Sequence, residues 1–403
     1  MSAPPPCPVD EPPYELVGVE LIRVLVPMKG RWSSHAGELS ERDSLLARAV
    51  ISCRGEPGGA SEAEGWGECA ALPEPTYNGE YTAGAIAVCQ AHLVPALFRA
   101  RPGQLSEVQG ALAPVKGNNM AKACLELAIL DAGLRALGRP IAQYFAGLTE
   151  RGDQSRSSVP AGVSVGLAGS VGQLLDEVEY WVEAGYRRVK LKIGPWHDVK
   201  GVAAVRRRWP ELVLCADANG SYSGIPFGQA VDLLSALDVL GLAYLEQPLA
   251  DDDLLGHAEL ARRLETPICL DEPLTSLRAV ETALDAGACD VVNVKGGRLG
   301  GYIEAVRVHD LCAKRGVPVW CGGMVETGIA RAANVALASL PNFSLAGDLS
   351  ATGRFFEKDL TGPLPLRRDG TIAVPDGPGL GVPVDTGAVS AFSTWRLWCP
   401  ANK

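Results

Sequence analysis

The chain has 403 residues, 47% hydrophobic and 21% charged, the balance of an ordinary globular protein. That length suits two or three domains, or a small domain with a large barrel. With 37 basic against 47 acidic residues the net charge is −10, which argues against nucleic acid or an anionic membrane as a partner.

A run of about 18 apolar residues, the mark of a membrane span, is missing. Met1 to Pro6 lacks the basic start and apolar stretch of a signal peptide, so a cytoplasmic location is expected. The 11 cysteines are scattered without a C-x-x-C pair and read as buried, reduced thiols.

In chain order, residues 1–14 are a proline-rich, disordered lead-in. Strand patterns follow at Val17–Leu21, Leu45–Ile51 and Glu64–Cys69, with a loop of small and polar residues at Lys29–Gly37. Alanine- and leucine-rich helical spacing then runs from about Thr82 to Leu137. These elements define an α+β capping domain over 15–140.

From 141 to 365 the pattern changes. Short β-branched runs recur at Val159–Gly166, Arg188–Gly194, Leu212–Asn219, Leu242–Pro248, Pro267–Pro273, Val291–Gly296, Pro318–Met324 and Phe343–Ser350. Helical patterns separate them, among them Ser170–Ala184, His257–Leu264 and Tyr302–Arg315. Strand–helix alternation predicts a parallel sheet, and eight units would close it. The fold class is therefore α/β, a modified (β/α)7β or (β/α)8 TIM barrel behind the capping domain. Residues 366–403 form a C-terminal segment expected to return to the capping domain.

Strands buried on both faces should be almost continuously apolar. Here the second run ends in Lys190-Leu191-Lys192, the third in Asp217-Ala218-Asn219 and the fourth in Glu246-Gln247-Pro248. The fifth ends in Asp271-Glu272-Pro273 and the sixth in Asn293-Val294-Lys295. Lys190 and Lys192, two apart, face the same side. In a barrel these ends meet at one mouth, where active sites of this fold lie.

An acidic residue at a strand end is commonly a helix cap, and a lysine there a solvated end. Three carboxylates in succession, bracketed by lysines, are neither. Asp217, Glu246 and Asp271 would repel one another in a partly dry mouth without a cation, and oxygen donors favour a hard ion. Mg2+ is expected, with Mn2+ or another divalent ion able to substitute. Lys192 and Lys295 fall on opposite sides of the ring.

This layout suits abstraction of a proton next to a carboxylate, with the ion stabilising the charge that develops. Like-charge repulsion from Lys190 and the ion would lower the basicity of Lys192 toward neutrality. Two opposed lysines permit inversion of a centre; one lysine acting twice permits a syn elimination of water.

On these stretches, together with Trp320 to Gly328 and Gly347-Asp348-Leu349-Ser350, the chain resembles the enolase superfamily, muconate-lactonizing subgroup. More narrowly it is similar to the o-succinylbenzoate synthase / N-acylamino acid racemase family, over about residues 15–385. The resemblance implies metal ligation by Asp217, Glu246 and Asp271, and acid/base catalysis by Lys192 and Lys295. It implies substrate contacts from Lys190, Asn219, Gly322, Gly323 and Met324, and a capping loop near 28–37 that closes over the site and excludes water. The implied activity is racemisation of N-acyl (N-succinyl) amino acids, bifunctional with or replaced by dehydration to o-succinylbenzoate. The partner would be a small carboxylate, the assembly a homo-oligomer.

The chain departs from the family pattern at Lys295-Gly296-Gly297, at Pro273, and in a longer capping loop carrying Trp32 and His35; all three bear on substrate identity. Gly162-Val163-Ser164-Val165-Gly166 matches a nucleophile elbow in letters, but lies within a strand pattern where that motif needs a strand-to-helix turn. The five histidines lack zinc-ligand spacing, and no glycine-rich nucleotide motif is present.

Overall fold

A computed structural model describes residues 13–34, 37–53, 61–152, 154–195 and 198–401. His35, His197 and the lead-in before residue 13 fall outside them.

The N-terminal layer is an antiparallel sheet of β1 (Tyr14–Ser34), β2 (Gly37–Cys53) and β3 (Ser61–Glu68). β1 and β2 pair from Tyr14–Cys53 out to Ser34–Gly37, with an irregularity between Pro27 and Trp32. The stretch expected to loop at Lys29–Gly37 is thus strand as far as Ser34. Pairing with β2 resumes at Trp32 and runs to Ser34, which extends the strand beyond the sequence pattern.

Against this sheet lies the Asn119–Ala136 helix, buried along nearly its whole length. Thr82–Ala100 is one continuous helical stretch, long and apolar enough by composition to cross a membrane. Its residues Ala85, Cys89, Leu93 and Leu97, four apart, belong to the hydrophobic core instead. The ten described cysteines are all free thiols.

After the short β4 (Ser158–Pro160) come β5 (Gly162–Val165), β6 (Arg188–Lys192), β7 (Val213–Asp217), β8 (Leu245–Glu246), β9 (Ile268–Leu270), β10 (Val291–Val294) and β11 (Val319–Cys321). These last seven form one parallel sheet in sequence order. The eighth segment closes the ring without regular pairing. Asp348 N–H donates to the Cys321 carbonyl at 3.1 Å on one side, while Gly347 bridges Ala161 on the other. The barrel is therefore of the (β/α)7β kind. Gly162 and Ser164 sit within β5, so the elbow reading fails.

Helix starts are set by local chemistry: Ser170, Asp253, Ser276 and Thr327 each accept a backbone N–H of the first turn. Beyond the barrel, β12 (Thr371–Ala373) pairs with β4, and β13 (Ser393–Pro400) lies antiparallel to β1. The N-terminal layer therefore includes the chain's last strand.

Candidate active site

Register brings the charged strand ends level. Lys192 pairs with Asp217 across β6–β7, and Asp217 with Glu246 across β7–β8. Asp271 follows β9 directly and Lys295 follows β10. All five side chains emerge at the C-terminal mouth of the barrel, and all but Lys192 are buried.

Lys192 Nζ donates to Asp217 Oδ2 at 2.7 Å and also to Asn219 Oδ1. Opposite, Lys295 Nζ donates to Asp271 Oδ2 at 2.8 Å. Lys190 lies between three carboxylates: Glu246 at 2.6 Å, Asp348 at 2.7 Å and Asp217 at 2.9 Å. Its ammonium also sits 4.8 Å from the Trp320 ring centroid.

Burial works against every one of these charges, and the neighbours decide the outcome. Burial favours a neutral Asp217, yet Lys190 and Lys192 hold it well below the usual carboxylate range. Lys295 is buried too, and Asp271 keeps it firmly charged. Glu246 goes the other way: burial and then the negative charges of Asp217 and Asp271 push it up to about 8, in spite of Lys190. Glu272, next in the chain and half-buried, is pushed up to about 7 by the same two causes.

Among the described residues no three His, Cys, Asp or Glu side chains already converge as an ion cage. Asp217 and Asp271 each engage an ammonium instead. The donor chemistry nevertheless fits a hard divalent ion. Three buried carboxylates stand on successive strand ends, Glu246 is short of positive charge, and Glu272 Oε2 and Asn293 Oδ1 are buried without a partner.

Two residues at the mouth have left-handed backbones although they are not glycine: Asn219 at φ 42° and Gln247 at φ 41°. Such strain persists where surroundings over-determine it. Gln247 Oε1 accepts the Asp271 N–H at 3.0 Å, and Asn219 Nδ2 donates to Glu272 at 3.1 Å. Gly322 follows β11; a Cβ there would overlap Asn293 Oδ1 and the Lys295 side chain. A Cβ at Gly323 would press on the Asp348 carbonyl, less closely, and the Met324 side chain is nearly buried. The side chains of Trp32 and His35 lie outside the described set.

Several site residues escaped the sequence. Asn293 Nδ2 donates to Glu246 Oε1 at 2.9 Å, and Arg298 reaches Asp271, the Leu274 carbonyl and the Asn293 carbonyl. Asp348 joins Arg188 to Lys190. Asn293, two before Lys295 on a strand, follows from period-two alternation, and Asp348 from the strand-end rule. Tyr77, from the N-terminal layer, donates to Asp271 Oδ1 at 3.0 Å; no local pattern announces it.

Two amines and a row of buried carboxylates thus share the barrel mouth, on a barrel behind an α+β layer. Residues 173–388 match the enolase C-terminal domain-like family model. An N-succinylamino acid racemase from an Amycolatopsis species is 48% identical, over 95% of this chain and 99% of its own. An o-succinylbenzoate synthase from Geobacillus kaustophilus is 40% identical, over 93% and 95%. A solved enolase superfamily member from Listeria innocua superposes with TM-score 0.88 at 34% identity, covering 96% of this chain and 100% of its own. The chain belongs to the enolase superfamily, and it is an enzyme of the group containing these racemases and synthases.

Proposed function

We propose that the enzyme removes and returns the proton α to the carboxylate of N-succinylamino acids, and so racemises them. The observation carrying this reading is the placement of Lys192 and Lys295 on β6 and after β10, four segments apart in an eight-segment ring. An α-carbon lying between them presents one face to each amine.

Asp217, Glu246 and Asp271 would hold a divalent ion, with Mg2+ the expected one. Bound there, it would supply Lewis-acid stabilisation of the negative charge that develops on the substrate carboxylate. Asp217 and Asp271 fix the positions of the two amines; Lys190 balances Glu246 and Asp348 beneath the substrate. Gly322 leaves room for the Asn293 and Lys295 side chains, and Gly323 for the Asp348 carbonyl, in the wall that an acyl chain would meet. One amine takes the α-proton in its neutral form, and the other, charged, delivers a proton to the opposite face.

On a different substrate, a cyclic carboxylate with a hydroxyl β to the carboxylate, the same abstraction followed by loss of that hydroxyl as water, protonated by one lysine, would yield o-succinylbenzoate. The 40% identical synthase favours this as a second activity of the same site.

Incubation of each enantiomer of several N-succinylamino acids in deuterium oxide should give α-deuterium incorporation with loss of optical rotation. A chelator should stop both, and added Mg2+ should restore them. Absence of exchange across the panel, or full rate in chelator, overturns the assignment.

A further inference from the structure

The two amines are not held alike. Among the described residues, Lys192 Nζ donates to Asp217 and Asn219, both barrel residues. Lys295 Nζ is held by Asp271 and, from the other layer, by the Tyr77 hydroxyl at 3.2 Å. The ammonium also lies 4.5 Å from the Tyr77 ring centroid.

A phenolic hydroxyl has one proton to donate and two lone pairs to accept with. Tyr77 uses all three: it donates to Asp271 Oδ1 at 3.0 Å and accepts from Lys295 at 3.2 Å and Arg298 Nη1 at 3.3 Å. Its loop is clamped at the base. Leu72 bridges Tyr81, Thr82 N–H donates to the Leu72 carbonyl at 2.9 Å, and Glu80 accepts the Met120 N–H at 2.9 Å. The hydroxyl is therefore delivered from a closed loop anchored to both the sheet and the Asn119–Ala136 helix.

We propose that Tyr77 is a positioning residue for one side of the reaction only: it sets the Lys295 amine from the other layer, while among the described residues Lys192 is held by barrel groups. The inference rests on the two-base reading above. Because enantiomers have equal free energy, net racemisation rates in the two directions are tied together and hide such an asymmetry. Proton exchange does not hide it. An enantiomer whose α-proton faces Lys192 can lose it and regain deuterium from Lys192 with its configuration retained.

The experiment follows both enantiomers of one N-succinylamino acid in deuterium oxide, separating exchange with retention from inversion. For Tyr77→Phe, one enantiomer should keep its retained-configuration exchange while inversion falls about tenfold, the cost of a lost hydrogen bond to a charged group. The other enantiomer should lose both together. Tyr77→Leu, which also removes the ring from the ammonium, should widen the gap, and thermal melting of both variants reports their folding. If wild type exchanges both enantiomers and Tyr77→Phe lowers all rates by one factor, or changes none, the role of Tyr77 is overturned. If wild type exchanges neither, the two-base reading falls and the inference with it.

Discussion

The smallest decisive unit is the missing side chain at Gly322. Asn293 and Lys295 occupy the volume a Cβ would need, and Asn293 in turn holds Glu246. Packed interiors do not yield such space freely, so an added methyl must displace the lysine or the amide. Displacements of about 1 Å at a reacting centre cost about a hundredfold in rate. Gly322→Ala should accordingly lower kcat by that order with little change in melting temperature. Steady-state kinetics beside calorimetry check this; an unchanged kcat would mean that Lys295 has slack.

At the scale of elements, strand β3 and the Asn119–Ala136 helix meet backbone to backbone. A Cβ at Gly65 would overlap the Ala132 amide and the Ala128 carbonyl, groups that cannot rotate away. This close approach lets the helix run flat across the sheet and bring its Glu126 to the barrel. Gly65→Ala should destabilise the fold by about 1–3 kcal/mol, the range for overpacking a dense core. Urea unfolding measures it, and a midpoint equal to wild type would contradict the close contact.

For the whole molecule, buried carboxylates join the two layers. Glu68 accepts the Thr327 and Ala330 N–H groups at 3.0 and 3.2 Å, at the start of the Gly328–Leu337 helix. Glu126 accepts the Tyr302 N–H at the start of the Tyr302–Arg315 helix. Burial pushes Glu126 up to about 8, with the Tyr302 and Ile303 N–H groups and Arg307 pulling against it and Glu304 with it. An unfolded glutamate titrates near about 4.3. The native state thus binds the extra proton, and this contribution to stability is complete below the unfolded value and lost as pH rises to about 8. Glu126→Gln, which cannot ionise, should remove that slope. Unfolding free energies of both proteins across this range decide it; parallel curves would refute the assignment.

What the sequence by itself determined is whatever repeats locally. Strand–helix alternation specified the barrel, and charged ends on runs that should be apolar marked Lys192, Asp217, Glu246, Asp271 and Lys295 for the mouth. Period-two alternation settled that Lys190 and Lys192 share a face. The tertiary structure alone decided what has no local period. Trp32–Ser34 is strand because β2 pairs with it, Met28 and Lys29 meet Phe356 and Phe355 instead, and the eighth segment closes the ring through Gly347 and Asp348 with little regular pairing. Tyr77 reaches Lys295 from 218 positions away in the chain. Periodicity records which face a residue presents, but meetings across such distances depend on how whole layers dock, and single side chains carry no trace of that.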